Sequence, residues 1–197
     1  MSFGFPKVSR AISEAILDVN KTRNNSVVFL ASAGNDVDKA ESYPACDPSV
    51  IATYGCKSTG TFLDTNPIPS GAVDSRKLVG TYGDNIPSAL VEELRTSFKD
   101  ADFSPGTSIA TAVAAGIVGL ILSYAAAMPH LLHVDGAEMI YNELKTTEGM
   151  RHMLFDMGKS RDGLQHFVNP MRYWVYRSND FKMFRGMCAA LPQKETG

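Results

Sequence analysis

A serine at the start of a long uncharged stretch is the residue in this sequence best suited to covalent chemistry. Ser108 follows Gly106-Thr107 and precedes residues 109–128, which contain no charged side chain. This stretch predicts a helix with Ser108 at its N-terminus, where backbone N–H groups and the helix dipole favour negative charge. A serine hydroxyl placed there can act as a nucleophile, because the helix N-terminus stabilises the oxyanion that forms.

The side-chain amide of Asn35 is suited to the same reaction. It lies in the loop Ser32-Ala33-Gly34-Asn35-Asp36, directly after the apolar run 27–31, which predicts a strand buried on both faces. Ligands of parallel sheets bind at the carboxyl ends of the strands, so Asn35 is placed to donate to an oxyanion beside Ser108. Taken singly, Ser108 fits a helix cap and Asn35 a turn. The hypothesis of a serine nucleophile beside an oxyanion hole therefore depends on Ser108 and Asn35 together.

The elements that must position these groups alternate between helices and short strands. Hydrophobic periodicity predicts helices over residues 8–19, 109–128 and 136–157, and short apolar runs predict strands over 27–31 and 49–55. This order predicts an α/β fold, a three-layer parallel sheet with helices on both faces.

The length and charge limit the possible functions. With 197 residues the chain is expected to form one domain, which we place at 1–157, followed by a mixed aromatic and basic tail, 158–197, of unassigned function. The net charge of −2 argues against nucleic acid as a partner. Residues 109–128 are long enough to span a membrane, but their alanine and glycine content and the preceding Pro105-Gly106 favour a helix through a core. We therefore expect no membrane partner and keep a single-span membrane protein as the weakest alternative.

The cysteines indicate neither a disulfide framework nor a metal site. Cys46, Cys56 and Cys188 are odd in number and lack C-x-x-C spacing. We accordingly predict no metal and no cofactor. Free cysteines are typical of proteins in a reducing compartment. For the localisation, the sequence therefore favours the cytoplasm.

The order and spacing of several segments resemble the subtilisin-like serine proteases (subtilase family, peptidase S8). The resemblance covers residues 1–128, and the segments that carry it are Met1-Ser2-Phe3-Gly4, Ser32-Ala33-Gly34-Asn35, Tyr43-Pro44-Ala45, Ser49-Val50-Ile51-Ala52, the turn 83–88 and Gly106-Thr107-Ser108-Ile109-Ala110-Thr111. It departs from the family at Ala112-Val113, where proline and often histidine are usual. It implies a subtilisin-like fold and serine endopeptidase activity on peptides or proteins, without a cofactor.

The resemblance also assigns roles to individual residues. Ser108 would be the nucleophile, and Asn35 with the backbone N–H of Ser108 would form the oxyanion hole. The segment Ser2-Phe3-Gly4 would pair as a strand with the substrate backbone. It would also form one wall of the specificity pocket. The opposite wall would be formed by Ser32, Ala33 and Gly34.

The acid and base of the catalytic triad have no counterpart in this sequence. In the family the triad Asp and His precede the segment that resembles residues 1–4. The resemblance therefore implies the carboxy-terminal part of a catalytic domain, incomplete at its N-terminal side, whose partner is the missing N-terminal half. We do not expect a substitute base among the histidines, which all follow the serine helix: His130, His133, His152 and His166. The alternative is a non-catalytic pseudoprotease or peptide-binding module that binds extended peptides through Ser2-Phe3-Gly4.

Overall fold

A computed structural model describes residues 1–70, 77–86, 105–133, 136–160, 162–177 and 179–191. Within them the helices are α1 (Arg10–Thr22), α2 (Thr107–Leu132), α3 (Ala137–Leu144), α4 (Thr147–Met157), α5 (Pro170–Tyr176) and α6 (Asp180–Ala190). The strands are β1 (Phe29–Ser32), β2 (Val50–Cys56), β3 (Leu78–Tyr82), β4 (Gly158–Ser160) and β5 (Gln165–Val168).

The strands form one sheet in the order β1-β2-β3-β5-β4. The first four strands in this order are parallel, with Leu30 opposite Ile51 and Leu78 opposite Gln165, and β4 runs antiparallel to β5 at the edge. Because β1, β2 and β3 are parallel neighbours, their carboxyl ends lie at the same edge of the sheet. That edge carries the loop with Asn35.

Helices cover both faces of this sheet. Successive residues of a strand point to opposite faces, and β1 buries Leu30 in the larger core and Ala31 in a smaller one. The larger core lies against α2 and the helices that follow it, and the smaller one lies against Ile16 of α1. The predicted α/β architecture with a helix-covered parallel sheet is therefore confirmed.

The uncharged stretch forms the central helix of the larger core. The helix α2 contacts β1, β2 and β3 through a face that includes Ala114, Ile117 and Ile121. Among the described residues it is the one helix long and apolar enough to cross a membrane, with a mean hydropathy of 2.0, and 39% of that window is buried. Its contacts with three strands are those of a core helix.

The single helix predicted over 136–157 is wrong, because two helices occupy this range. The first, α3, ends at Leu144, and Thr146 caps the second, α4, by accepting a hydrogen bond from the Gly149 N–H at 3.0 Å. A threonine hydroxyl that binds the backbone competes with continuous helix, and a side chain at Gly149 would collide with the carbonyl of Glu143. The turn is therefore local and depends on the Thr146-Thr147-Glu148-Gly149 sequence.

Residues beyond 158 continue the same sheet and core. The strand β5 pairs with β3, and the Thr81 hydroxyl donates to the Val168 carbonyl at 3.0 Å. The larger core includes Val168 of β5, Tyr173 of α5, and Met183 and Met187 of α6. Of the turn predicted over 83–88, residues 87 and 88 lie outside the described residues.

Candidate active site

A cleft of about 610 Å³ lies at the carboxyl end of β1, beside the start of α2. It is lined by Ser2, Phe3, Gly4, Ser32, Gly34, Asn35 and Ser108, together with residues of the segment 39–42 and Pro67. Ala33 is the sequence-predicted site residue that does not line it. Its side chain is fully buried, and its carbonyl accepts the Ser42 N–H at 2.8 Å. The structure thus gathers seven of the eight predicted residues around one cleft.

Ser108 lies in the first turn of α2 and is tied to the segment at residues 1–4. Its Oγ donates to the Ser2 carbonyl at 3.2 Å, and the Ser2 Oγ donates to the Ser108 carbonyl at 3.2 Å. This reciprocal pair holds the substrate-strand candidate against the helix N-terminus. The nucleophile candidate is half-buried and reaches the cleft.

The amide of Asn35 is oriented by the residue before Ser108. Its Oδ1 accepts the Thr107 backbone N–H at 2.8 Å and the Thr107 Oγ1 hydroxyl at 3.1 Å. Because its oxygen is engaged in this way, the Nδ2 group is the part of the amide that can donate to an oxyanion. Asn35 also packs closely on Gly106, where an added Cβ would lie 3.0 Å from Nδ2. A glycine at 106 therefore lets the amide approach the helix N-terminus.

Thr107 is a residue of this candidate site that the sequence analysis missed. It is fully buried, and its Oγ1 lies 2.6 Å from the Ser32 Oγ and 3.1 Å from the Gly34 N–H, which donates to it. One hydroxyl thereby connects the pocket wall at residues 32–34, the oxyanion-hole candidate and the helix that carries Ser108. The only signal in the sequence is a hydroxyl residue placed between Gly106 and Ser108.

The two candidate walls are joined at the base of the cleft by Ser42. Its Oγ donates towards the Ala33 carbonyl at 3.2 Å, and a Cβ at Gly4 would collide with the same hydroxyl. Next to this contact, Phe5 and Tyr43 exchange two antiparallel backbone hydrogen bonds of 2.8 and 2.9 Å. Residues 4 and 5 are therefore fixed to the loop that follows β1, whereas Ser2 is fixed to Ser108.

The charged residues that line the cleft are Asp36, Lys39 and Glu41. Lys39 pairs with Asp36 at 2.6 Å, and this hydrogen bond and the Asp38 N–H hold the pKa of the Asp36 carboxyl below its usual value. Glu41 is buried, and its carboxylate accepts hydrogen bonds from the Tyr54 hydroxyl and from the Ser70 N–H. These carboxylates are bound to other groups of the protein, so neither is placed as the base of Ser108.

The four histidines lie elsewhere in the fold. His130 and His133 are at the C-terminal end of α2, the end opposite Ser108. His152 pairs with Glu148 within α4 at 3.1 Å, and His166 lies in β5 with its ring nitrogens near the carbonyls of Phe155 and Gly163. Within the described part of the chain, the cleft lining includes no histidine.

A sequence comparison gives the family. The Subtilase family profile matches residues 1–158, which include the cleft, β1 to β3 and α2. The chain belongs to the subtilase family. The sequence-based resemblance is thereby confirmed, and no curated protein sequence matches the chain.

Solved structures of subtilisin-like maturation proteases share the fold. The prenylagaramide maturation protease PagA aligns over 98% of this chain and 61% of its own, with a TM-score of 0.59 and 16% identity. The PatG macrocyclase domain aligns over 98% and 51%, with a TM-score of 0.60 and 19% identity. The patellamide maturation protease PatA aligns over 91% and 62%, with a TM-score of 0.58 and 18% identity. The chain of this subtilase thus spans between about half and three fifths of the length of these structures.

Proposed function

We propose that this subtilase chain is the carboxy-terminal part of a serine endopeptidase catalytic domain and carries its nucleophile and oxyanion hole. The observation that supports this most directly is the placement of three groups at one helix N-terminus. Ser108 faces the cleft, Asn35 presents its amide beside it, and Thr107 holds that amide through two hydrogen bonds of 2.8 and 3.1 Å.

The chemistry follows from these positions. The Ser108 Oγ bonds to the substrate carbonyl carbon and gives its proton to a general base, while the C=O π electrons move to the oxygen and make it an oxyanion. Asn35 Nδ2 and the Ser108 backbone N–H donate to that oxyanion, which the α2 dipole further stabilises. When this intermediate collapses, the C–N bond breaks and the amine leaves with that proton. For a subtilase, loss of the oxyanion-hole asparagine costs ~10²–10³ in kcat.

The general base comes from outside this chain. A base must lie within about 3 Å of the serine hydroxyl, either directly or through one water. In the structure the Ser108 hydroxyl donates to the Ser2 carbonyl, and the described cleft is without a histidine. The N-terminal half of the catalytic domain therefore supplies the Asp and His, and this chain without it retains little activity.

The substrate is an extended peptide or protein segment. Its backbone pairs with Ser2-Phe3-Gly4, and its side chain next to the scissile bond lies between that strand and the wall formed by Ser32 and Gly34. Phe3 and Phe5 are 49% and 44% exposed at the mouth of the cleft and offer apolar contacts to neighbouring side chains. A PatG macrocyclase structure contains a bound peptide, which is consistent with a peptide ligand for this fold.

A second candidate is a non-catalytic peptide-binding module. The observation that favours it is that the Ser108 hydroxyl is hydrogen-bonded to a backbone carbonyl and not to a base. Such a protein would bind peptides by strand addition along Ser2-Phe3-Gly4 and leave them intact.

Labelling with a fluorophosphonate, which reacts with activated serines, separates the two functions. The natural protein, with all the sequence encoded before residue 1, is treated with the reagent beside its Ser108→Ala and Ser58→Ala variants. The endopeptidase predicts labelling that is lost in Ser108→Ala and kept in Ser58→Ala, whose serine is exposed in the turn after β2 and is not among the described residues that line the cleft. Peptide binding without any labelling of Ser108 would instead establish the binding module.

A further inference from the structure

A serine side chain lies between the two candidate walls of the specificity pocket. Ser42 is half-buried and lines the cleft. A Cβ at Gly4, on the first wall, would collide with its Oγ and its Cβ. A Cβ at Gly34, on the opposite wall, would lie 3.7 Å from the same Oγ, which is a van der Waals contact distance. The Ser42 hydroxyl therefore occupies the space between the two glycines.

Hydrogen bonds hold this side chain in place. The Ser42 Oγ donates towards the Ala33 and Ser32 carbonyls, at 3.2 and 3.3 Å. The Ser42 N–H donates to the Ala33 carbonyl at 2.8 Å. Both carbonyls belong to the wall that carries Gly34. A rotation of the side chain out of the pocket would break the bonds of the hydroxyl, so Ser42 is a fixed part of the pocket.

The pocket is short because it begins next to the oxyanion-hole candidate. Gly34 directly precedes Asn35, whose amide faces the scissile carbonyl in the proposed function. A substrate side chain that enters between Gly4 and Gly34 therefore meets Ser42 within the first few atoms of its length. Protein interiors are close-packed, and a group forced into occupied space displaces its neighbours at a cost. A methyl or hydroxymethyl group needs little room, whereas an aromatic ring needs the space that Ser42 fills.

On the basis of the proposed function, we infer that Ser42 restricts the residue before the scissile bond to glycine, alanine or serine. The substrate is then a peptide or protein segment with a small residue at the cleavage position. Ser42 sets this specificity because its side chain is bonded to one wall and touches the other. One methylene group in an enzyme pocket changes the rate ~10–200-fold, so an aromatic side chain should be rejected by about tenfold or more relative to alanine.

The test determines which bonds the natural protein, with all the sequence encoded before residue 1, cleaves in a mixed peptide library. Mass spectrometry identifies the residue at each new C-terminus. Two matched variants, Ser42→Gly and Ser58→Gly, are assayed beside it, and Ser58 is exposed in the turn after β2. We expect the unmodified protein and Ser58→Gly to cleave mainly after glycine, alanine and serine. In Ser42→Gly the share of cleavage after phenylalanine, tyrosine and leucine should rise about tenfold or more.

Two results of this assay would overturn the inference. One is an unmodified protein that cleaves after phenylalanine as often as after alanine. The other is a cleavage profile of Ser42→Gly that is identical to that of Ser58→Gly. Either result would mean that the Ser42 side chain does not limit the depth of the pocket.

A thermal-unfolding cycle tests the placement of Ser42 without catalysis. Gly4→Ala should lower the Tm where Ser42 is present, because the new methyl group collides with its side chain. In the Ser42→Gly background the same change should lower the Tm less, because the space is free. Equal Tm changes in the two backgrounds overturn the inference even when cleavage is normal. Coupled Tm changes in a protein that cleaves no peptide support the short pocket and reject the proposed endopeptidase.

Discussion

Replacing Thr107 by valine tests the hydroxyl that connects the cleft walls to the helix carrying Ser108. Valine keeps the shape of threonine but cannot hydrogen-bond. The change removes the 2.6 Å contact with the Ser32 hydroxyl and the 3.1 Å bond from the Gly34 N–H. A buried group left without a partner costs ~1–3 kcal/mol. Because Ser32 is buried and Gly34 is half-buried, we expect a total loss of about 3 kcal/mol in the free energy of unfolding.

We expect Thr107→Val to slow catalysis less than removal of the Asn35 side chain does. The Asn35 Oδ1 loses its 3.1 Å bond to the Thr107 hydroxyl and keeps the 2.8 Å bond to the backbone N–H. We therefore expect kcat to fall ~10-fold, against the ~10²–10³ expected for Asn35→Ala. Urea unfolding and peptide hydrolysis by the natural protein measure the two effects, with Thr107→Ser as the control that keeps the hydroxyl. The reasoning is refuted if the valine variant matches the serine variant in both urea midpoint and kcat.

Three further predictions concern other sites. Gly106→Ala puts a Cβ 3.0 Å from Asn35 Nδ2 and should lower kcat with little change in KM, whereas an unchanged kcat would show that the amide moves freely. Burial raises the pKa of the Cys56 thiol to about 12, so the folded state keeps a proton that the unfolded chain loses above about pH 8.5. The free energy of unfolding, measured by urea titration, should therefore decrease by about 1–2 kcal/mol between pH 8 and 10. The Cys56→Ala variant has no thiol at this position and should not show this decrease. Asn179→Ala removes the 2.9 Å hydrogen bond that the Lys182 N–H donates to the N-cap side chain of α6. Urea titration should show a free energy of unfolding lower by about 1 kcal/mol, and the exposed Ser26→Ala change is the control.

The parts of the fold that the sequence predicted are those set by local pattern. An uncharged run after Gly106-Thr107-Ser108 predicted α2, which begins at Thr107, because a helix is defined by neighbours three and four residues apart. The apolar run 27–31 predicted β1, although the strand is shifted to Phe29–Ser32. Fold and family followed from these segments, and the cleft brings Ser108 and Asn35 together as their positions predicted.

The features that the sequence did not predict depend on contacts between distant residues. The tail from 158 shows no clear period, yet β5 pairs with β3 because Val168 and its neighbours fill the edge of a sheet formed by other residues. Thr107 resembled an ordinary first-turn residue, since its role arises from Ser32 and Gly34, which are more than seventy positions away in the chain. The hydrophobic periodicity predicted one helix over 136–157. The turn at Thr146 divides it into α3 and α4 because the threonine hydroxyl binds the backbone.

The position of β5 in the sheet affects how this protein can fold during synthesis. The hydrogen bond between Thr81 and Val168 joins residues 87 positions apart, and β5 lies between β3 and the edge strand β4. Chains are made from the N-terminus at ~5–20 residues per second, and pairing between distant strands is slow. The side of β3 that faces β5 therefore stays uncovered until Gln165–Val168 has left the ribosome. A ribosome that stalls shortly before that point would release a chain with an open strand, the kind of edge on which chains aggregate.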